Sequence, residues 1–198
     1  MEAFWLSLGL IFLAELGDKT QLVALLLATR FKAGVVLAGI FVATLAVHAL
    51  SVALGGATSH FLPQGWIYLL SGLAFIGFGW WTWRGDTLED EADYSNRRFN
   101  SPFIIVFITF FLAELGDKTM LSTVTLAASQ DLFPVWLGST LGMVLSDALA
   151  IWVGQILGKQ LPERAIKIGA AVIFIGFGIY FTMQGVVDLW SLYRHLLV

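Results

Sequence analysis

The chain has 198 residues, of which 58% are hydrophobic and 13% are charged, and its formal net charge is −3. A soluble domain typically contains about 45–50% apolar and about 25% charged residues, and a disordered chain is poor in apolar residues, so this composition excludes both classes. The sequence contains no cysteine, which excludes a disulfide scaffold and a thiolate metal site, and its acidic balance predicts no contact with nucleic acid. A polytopic membrane protein remains, and its few charges become the informative residues.

Six apolar segments are candidates for membrane-spanning helices, because a bilayer core of about 30 Å requires roughly 20 apolar residues per helix. The segments are continuously apolar rather than alternating, which favours helices over a transmembrane barrel. The first lacks a preceding basic stretch and contains two acids, so we interpret it as a retained helix rather than a signal peptide. In chain order, the predicted spans are residues 3–29, 34–58, 66–84, 102–128, 134–158 and 165–185.

The lysines and arginines of the short loops predict the orientation of the chain, since cytoplasmic loops are enriched in them. The loops after the first, third and fifth spans carry nearly all of these residues, whereas the other side carries only Arg194. This distribution predicts a multi-pass protein of the cell inner membrane with both termini in the periplasm. The residues concerned are Arg30, Lys32, Arg84, Arg97, Arg98, Lys159, Arg164 and Lys167.

The sequence repeats itself with an offset of 99 residues. The block 12–20 recurs without change at 111–119, and the block 75–79 recurs at 174–178. Two separate blocks at one offset predict two repeats, residues 1–99 and 100–198. Each half contains three predicted spans, and an odd number makes the second half enter the membrane from the opposite side. We therefore predict an all-α integral membrane protein whose six transmembrane helices form two inverted three-helix repeats, as in many secondary transporters.

The first span of each half contains the sequence Glu-Leu-Gly-Asp-Lys-Thr, at residues 15–20 and 114–119. Residues three and four apart share one face of a continuous helix, so Glu15 and Asp18 are predicted to point the same way, with Lys19 beside Glu15.

The second copy adds Glu114 and Asp117. If the inverted halves cross near the middle of the membrane, four carboxylates surround one cavity. Four like charges cannot all stay ionised and unpaired in a low dielectric. A divalent cation, protons or the lysines must therefore neutralise them.

Neutral oxygen donors accompany these acids. The hydroxyls of Thr20 and Thr119 and the amide of Gln21 are predicted ligands, and Gly17 and Gly116 can free backbone carbonyls. A site of oxygen donors without cysteine suits hard cations such as Mg²⁺, Ca²⁺ or Mn²⁺. The repeat counterpart of Gln21 is Met120, for which we favour packing over a weak thioether preference for Mn²⁺.

A structural interpretation of the motif stays open beside the ligand interpretation. In each copy the glutamate can pair with the lysine four residues later. The two aspartates would then still carry two negative charges, enough to match one divalent cation. The predicted pairs are Glu15 with Lys19 and Glu114 with Lys118, which leaves Asp18 and Asp117.

Two further polar residues occupy equivalent positions in the second and fifth spans. His48 is predicted to make a hydrogen bond between helices, and its counterpart Asp147 to act as a proton acceptor or supporting residue. The neighbouring Thr140 and Ser146 are interpreted as small packing residues.

Two copies of E-φ-G-D-(K/R)-(T/S) in two three-helix halves resemble the Mn²⁺/Ca²⁺ cation-antiporter family, which includes human transmembrane protein 165 and bacterial manganese exporters of the MneA type. The resemblance covers essentially the whole chain. It implies export of Mn²⁺, or of Ca²⁺ in some members, from the cytoplasm in exchange for H⁺ or Na⁺. The motif acids carried over are Glu15, Asp18, Glu114 and Asp117. We expect no enzyme activity and no cofactor besides the transported ion, with Mn²⁺ favoured and a Ca²⁺/H⁺ exchanger as the alternative.

Two rival classes are weaker. An intramembrane aspartyl protease uses G-x-G-D, but the position that needs the first glycine holds Glu15 in one copy and Glu114 in the other. A membrane scaffold without transport is the second rival. The expected partners are a divalent cation and the lipid bilayer. A homodimer is compatible with six spans, but no residue pattern demonstrates it.

Overall fold

The computed structural model describes residues 1–84, 101–157 and 163–196, without the side chains of Lys19 and of residues 155–157, 163–167, 170, 195 and 196. This part of the chain is all-helical, with no β-strand in the ranges described. Its helices are α1 Glu2–Glu15, α2 Lys19–Arg30, α3 Ala33–Phe61, α4 Gln64–Arg84, α5 Pro102–Glu114, α6 Lys118–Ser129, α7 Leu132–Leu157 and α8 Glu163–Leu196.

The two motif-bearing spans are each divided into two helices, so the prediction of continuous helices over 3–29 and 102–128 is wrong. α1 ends at Glu15 and α5 ends at Glu114, and three residues separate each from the next helix. The cause is the glycine of the motif, because Gly17 has a φ of 74° and Gly116 a φ of 81°. This left-handed conformation does not belong to an α-helix, and residues with a Cβ rarely adopt it.

The other predicted spans each correspond to one helix. α3, α4 and α7 agree with the predicted ranges within a few residues, over the described part of α7. The last predicted span ends at residue 185, whereas the helix α8 continues to Leu196. Gly185 does not end this helix; a Cβ there would lie 2.8 Å from the backbone oxygen of Gly65 in α4. The glycine therefore allows α8 to pack closely on α4 and does not end the helix.

Three helices of the described ranges are long and apolar enough to cross a membrane: α3, Leu132–Gly154 of α7, and Ala171–Arg194 of α8. The halves of the broken spans have 12 to 14 residues each. At 1.5 Å per residue such helices are about 18–21 Å long, shorter than the roughly 30 Å bilayer core. The 21-residue α4 is not among the three.

The helices pack in pairs that recur with the offset of the sequence repeat. α3 packs on α5, and α7 packs on α1. A Cβ on Gly39 of α3 would lie 2.7 Å from the Val106 side chain, and a Cβ on Gly138 of α7 would collide with Ser7. Gly138 follows Gly39 by 99 residues and Val106 follows Ser7 by 99, so one helix crossing occurs twice.

Two contacts join residues that are themselves 99 positions apart. The Thr44 hydroxyl lies 3.3 Å from the sulfur of Met143, between α3 and α7. The rings of Phe75 and Phe174 stack with their centroids 5.9 Å apart, between α4 and α8. Phe75 and Phe174 are fully buried in one apolar cluster, and Ile40, Val106 and Phe110 lie in a second.

Several of the basic residues on which the orientation prediction rests have no described position or side chain. Arg97, Arg98 and Lys159 lie outside the described residues, and the side chains of Arg164 and Lys167 are not described.

Candidate cation site

The two breaks place the four motif acids inside the protein. Glu15 and Glu114 are the last residues of α1 and α5, and Asp18 and Asp117 precede the first residues of α2 and α6 as N-caps. All four are buried, between 0% and 5% exposed. The carboxyl group of Glu15 interacts electrostatically with those of Asp18 and Glu114. The carboxyl group of Glu114 interacts in the same way with those of Asp18 and Asp117. The structure thus brings together the four acids that the sequence predicts as ligands.

The route by which the acids meet differs from the prediction. Glu15 and Asp18 do not share the face of one helix, because the backbone turns at Gly17 between them. The break instead points the carboxyl end of α1 and the amino end of α2 at one place. The carboxyl end of a helix carries a partial negative charge, which favours a cation.

A threonine bridges each break to the glutamate before it. The Thr20 hydroxyl donates a hydrogen bond to Oε1 of Glu15, and the Thr119 hydroxyl donates to Oε2 of Glu114 at 2.8 Å. Thr20 and Thr119 were predicted as ligands; here they hold one oxygen of each glutamate in position. The other oxygen of each glutamate stays without a hydrogen-bond partner.

The lysine of the second motif forms an ion pair with an aspartate of the first motif. Nζ of Lys118 donates to Oδ1 of Asp18 at 2.6 Å, and each side chain is only 3% exposed. The prediction placed Glu114 and Lys118 four residues apart on one helix, whereas Glu114 ends α5 and Lys118 begins α6. The predicted pair of Glu15 with Lys19 involves a side chain outside the described part of the structure.

Gln21 joins the first break to α7. Its Oε1 accepts a hydrogen bond from the backbone N–H of Gly17 at 2.8 Å, and its Nε2 donates to the hydroxyl of Ser146 at 2.7 Å. That hydroxyl donates in turn to the backbone oxygen of Phe12 at 3.1 Å. The amide oxygen predicted to coordinate a cation is thus engaged with the backbone in this conformation. In the second copy, the sulfur of Met120 takes the corresponding bond from Gly116, at 3.2 Å.

Asp147 of α7 adds a fifth carboxylate to the four motif acids. It is 0% exposed, and neither of its oxygens has a hydrogen-bond partner. It lies within electrostatic range of Asp18, Glu15 and Glu114. His48, its repeat counterpart, is also buried, and its Nδ1 lies 3.3 Å from the Thr140 hydroxyl in α7.

Unpartnered carboxylate oxygens are the main chemical feature of this region. A buried polar atom without a partner is costly, so these oxygens are ready acceptors for a cation or a proton. No three aspartate, glutamate or histidine side chains stand at metal-ligand spacing in the described ranges. The unpartnered oxygens are Oε2 of Glu15, Oδ2 of Asp18, Oε1 of Glu114 and both Oδ atoms of Asp147.

The hydroxyls of α7 are the part of this region that sequence reasoning missed. Ser146 and Thr140 were interpreted as packing residues, but they bond Gln21 and His48. The available signal was the position of Ser146, directly before an acid in an apolar segment.

Comparison with known proteins identifies the family of this chain. The sequence model of the family described as "Divalent cation/proton antiporter GDT1" matches residues 3–90 and 102–188. A Vibrio cholerae protein described as "Putative manganese exporter" is 37% identical over 181 residues, which cover 88% of this chain and 88% of that protein. The Arabidopsis thaliana GDT1-like protein 5 is 31% identical over 215 residues, covering 90% of this chain and 94% of the relative.

The comparison with solved structures gives no match. The family model nevertheless covers most of the chain, in two stretches that each contain one copy of the buried acidic motif. An antiporter family is a family of transporters rather than of enzymes, which excludes the aspartyl protease alternative. The chain is a multi-pass membrane protein that belongs to the GDT1 family of divalent cation/proton antiporters.

Proposed function

We propose that this protein exports Mn²⁺ from the cytoplasm in exchange for H⁺, by alternating access to a carboxylate site. The observation that carries the proposal is the set of buried carboxylate oxygens without hydrogen-bond partners, on Glu15, Asp18, Glu114 and Asp147. Oxygen donors suit a hard divalent cation. The choice of Mn²⁺ is supported by the printed description of the Vibrio relative.

The proposed architecture is six membrane crossings in two inverted repeats, residues 1–99 and 100–198. α1 and α2 together extend over 29 residues, as many as α3, and would form one broken crossing. Two observations support the repeat. The order of the helices recurs at an offset of 99, and so does the close crossing that Gly39 makes with α5 and Gly138 makes with α1. Broken helices that meet at the middle of the membrane are how many secondary transporters build ion sites. The loop charges support periplasmic termini in the inner membrane.

The proposed ligands are the four motif acids, with the neutral oxygens of the motif completing the shell. Because the acids lie within electrostatic range but not at metal-ligand spacing, we expect binding of the ion to draw the two motifs together. The ligand set is Glu15, Asp18, Glu114 and Asp117, assisted by Thr20, Thr119 and Gln21.

The proposed cycle uses competition between metal and proton for the same carboxylates. Ionised acids take Mn²⁺ from the cytoplasmic side, the two halves rock, and the site opens to the periplasm. Protons that arrive there weaken metal binding, and the protonated site returns. Asp147 would accept a proton beside the metal ligands, and His48 would support α7 through Thr140.

Transport in proteoliposomes tests this function. With an imposed pH gradient, we expect Mn²⁺ movement to dissipate the gradient, and we expect a panel of Mg²⁺, Ca²⁺ and Mn²⁺ to rank Mn²⁺ first. The double variant Glu15→Gln, Asp117→Asn should be inactive, and equal transport by it would overturn the proposal. Preference for Ca²⁺ would favour the Ca²⁺/H⁺ exchanger, and dependence on a Na⁺ gradient would replace H⁺ as the coupling ion.

A further inference from the structure

The site contains a cation of its own, the ammonium of Lys118. Nζ lies 2.6 Å from Oδ1 of Asp18, and both side chains are 97% buried. The two residues are 100 positions apart and belong to different copies of the motif. This ion pair is therefore a direct link between the two halves, at the place where the motif acids meet.

The position of the ammonium has a consequence for any metal that binds Asp18. Oδ1 of Asp18 is already occupied, and only Oδ2 is free. A divalent cation on Asp18 would stand close to a buried ammonium, and two like charges repel strongly in a low dielectric. The metal and the ammonium are thus alternative partners for one carboxylate.

A displaced ammonium would still be attracted by other carboxylates of the site. Asp117 and Glu15 both attract Lys118 electrostatically, in addition to Asp18. The lysine side chain is a flexible stem that carries a compact charge with rotatable donors. It can therefore leave Asp18 without leaving the site.

We propose that Lys118 is a tethered competitor of the transported cation: it occupies Asp18 when the site is empty and moves aside when the metal binds. This inference rests on the proposed function and adds a specificity-determining residue to it. In the empty site the ammonium offsets the charge of one carboxylate, that of Asp18. Its return to Asp18 helps to expel the metal, and the same movement breaks and remakes the link between the halves.

The test compares two substitutions that differ in charge. Lys118→Met removes the competitor, so we expect Mn²⁺ to bind at least about tenfold more tightly, measured by isothermal titration calorimetry of the full chain in detergent. In proteoliposomes the same variant should transport more slowly at saturating Mn²⁺, because release is impaired. Lys118→Arg keeps the charge and should show no tightening. Lys32→Met, at an exposed position outside the site, controls for the loss of any lysine.

The outcomes separate this inference from the proposed function. If the wild-type protein neither binds nor transports Mn²⁺, the proposed function fails. If the wild-type protein binds Mn²⁺ but folded Lys118→Met binds equally or more weakly, only the role of Lys118 is overturned. Thermal unfolding monitors the fold, and if Lys118→Met does not fold, Lys118→Gln provides the comparison with the same expected tightening.

Discussion

The two copies of the acidic motif have the same sequence but different surroundings. In both, a glycine with positive φ ends one helix, and a threonine hydroxyl holds the glutamate before the break. The local geometry therefore follows from the six residues of the motif. The seventh residue is Gln21 in the first copy and Met120 in the second, and it decides whether a side chain bonds the break to α7.

Through its seventh residue the first copy is bonded to α7, whereas the bond of the seventh residue in the second copy stays within the motif. Gln21 offers both an acceptor and a donor, so it bonds Gly17 and Ser146 together. Met120 offers only a thioether acceptor, and its bond to Gly116 stays within the motif. The leucine of the second break, Leu115, is 41% exposed. The two copies thus differ in whether the seventh residue bonds the break to α7.

The largest expected effect tests whether the two copies are equivalent in function. Glu15→Gln and Glu114→Gln each remove a charge from a glutamate that is held in the same way in its own copy. Each should reduce Mn²⁺ transport by more than the about 10–100-fold that loss of an outer-shell partner costs at a metal site. Initial rates in proteoliposomes measure this, with exposed Glu2→Gln as the control. Near-normal transport by one variant alone would show that the copies have separate roles.

A medium effect tests the conformation that the copies share. Gly116→Ala forces a Cβ into a φ of +81°, although no atom stands within 4 Å of the new methyl group. The free energy of unfolding should fall by about 1–2 kcal/mol, the usual cost of a left-handed residue. Gly77→Ala is the matched control, since its Cβ also meets open space but the residue lies inside α4. That control should be neutral or stabilising. Equal stability of the two variants in denaturant titrations would contradict the strain argument.

The smallest effect tests the difference between the copies. Ser146→Ala removes the hydroxyl between Gln21 and Phe12 and should lower the free energy of unfolding by about 0.5–1.5 kcal/mol. Met120→Leu removes only the weaker sulfur acceptor at the second break, so its effect should be smaller. Thermal and chemical unfolding of both variants gives the comparison. A larger loss for Met120→Leu would contradict this difference between the copies.

The sequence was sufficient to predict the helical membrane class, and the motif acids that it singled out are buried in the structure. It wrongly placed Glu114 and Lys118 on one continuous helix, which the rule for residues four apart assumes. The glycine between them was recognised as loosening the helix, but spacing alone does not indicate a complete break. The contact of Lys118 with Asp18 joins residues 100 positions apart, and only the packing of the helices brings these residues together.

The contacts between residues 99 positions apart have a further consequence for which substitutions the protein tolerates. The crossing of Gly39 on Val106 has a second version in Gly138 on Ser7, so a change to one leaves the other intact. The stack of Phe75 on Phe174 joins a position to its own counterpart, and duplication of the sequence supplies no second version of it. We therefore expect a substitution at Phe75 or Phe174 to be less well tolerated than one at a contact that occurs twice.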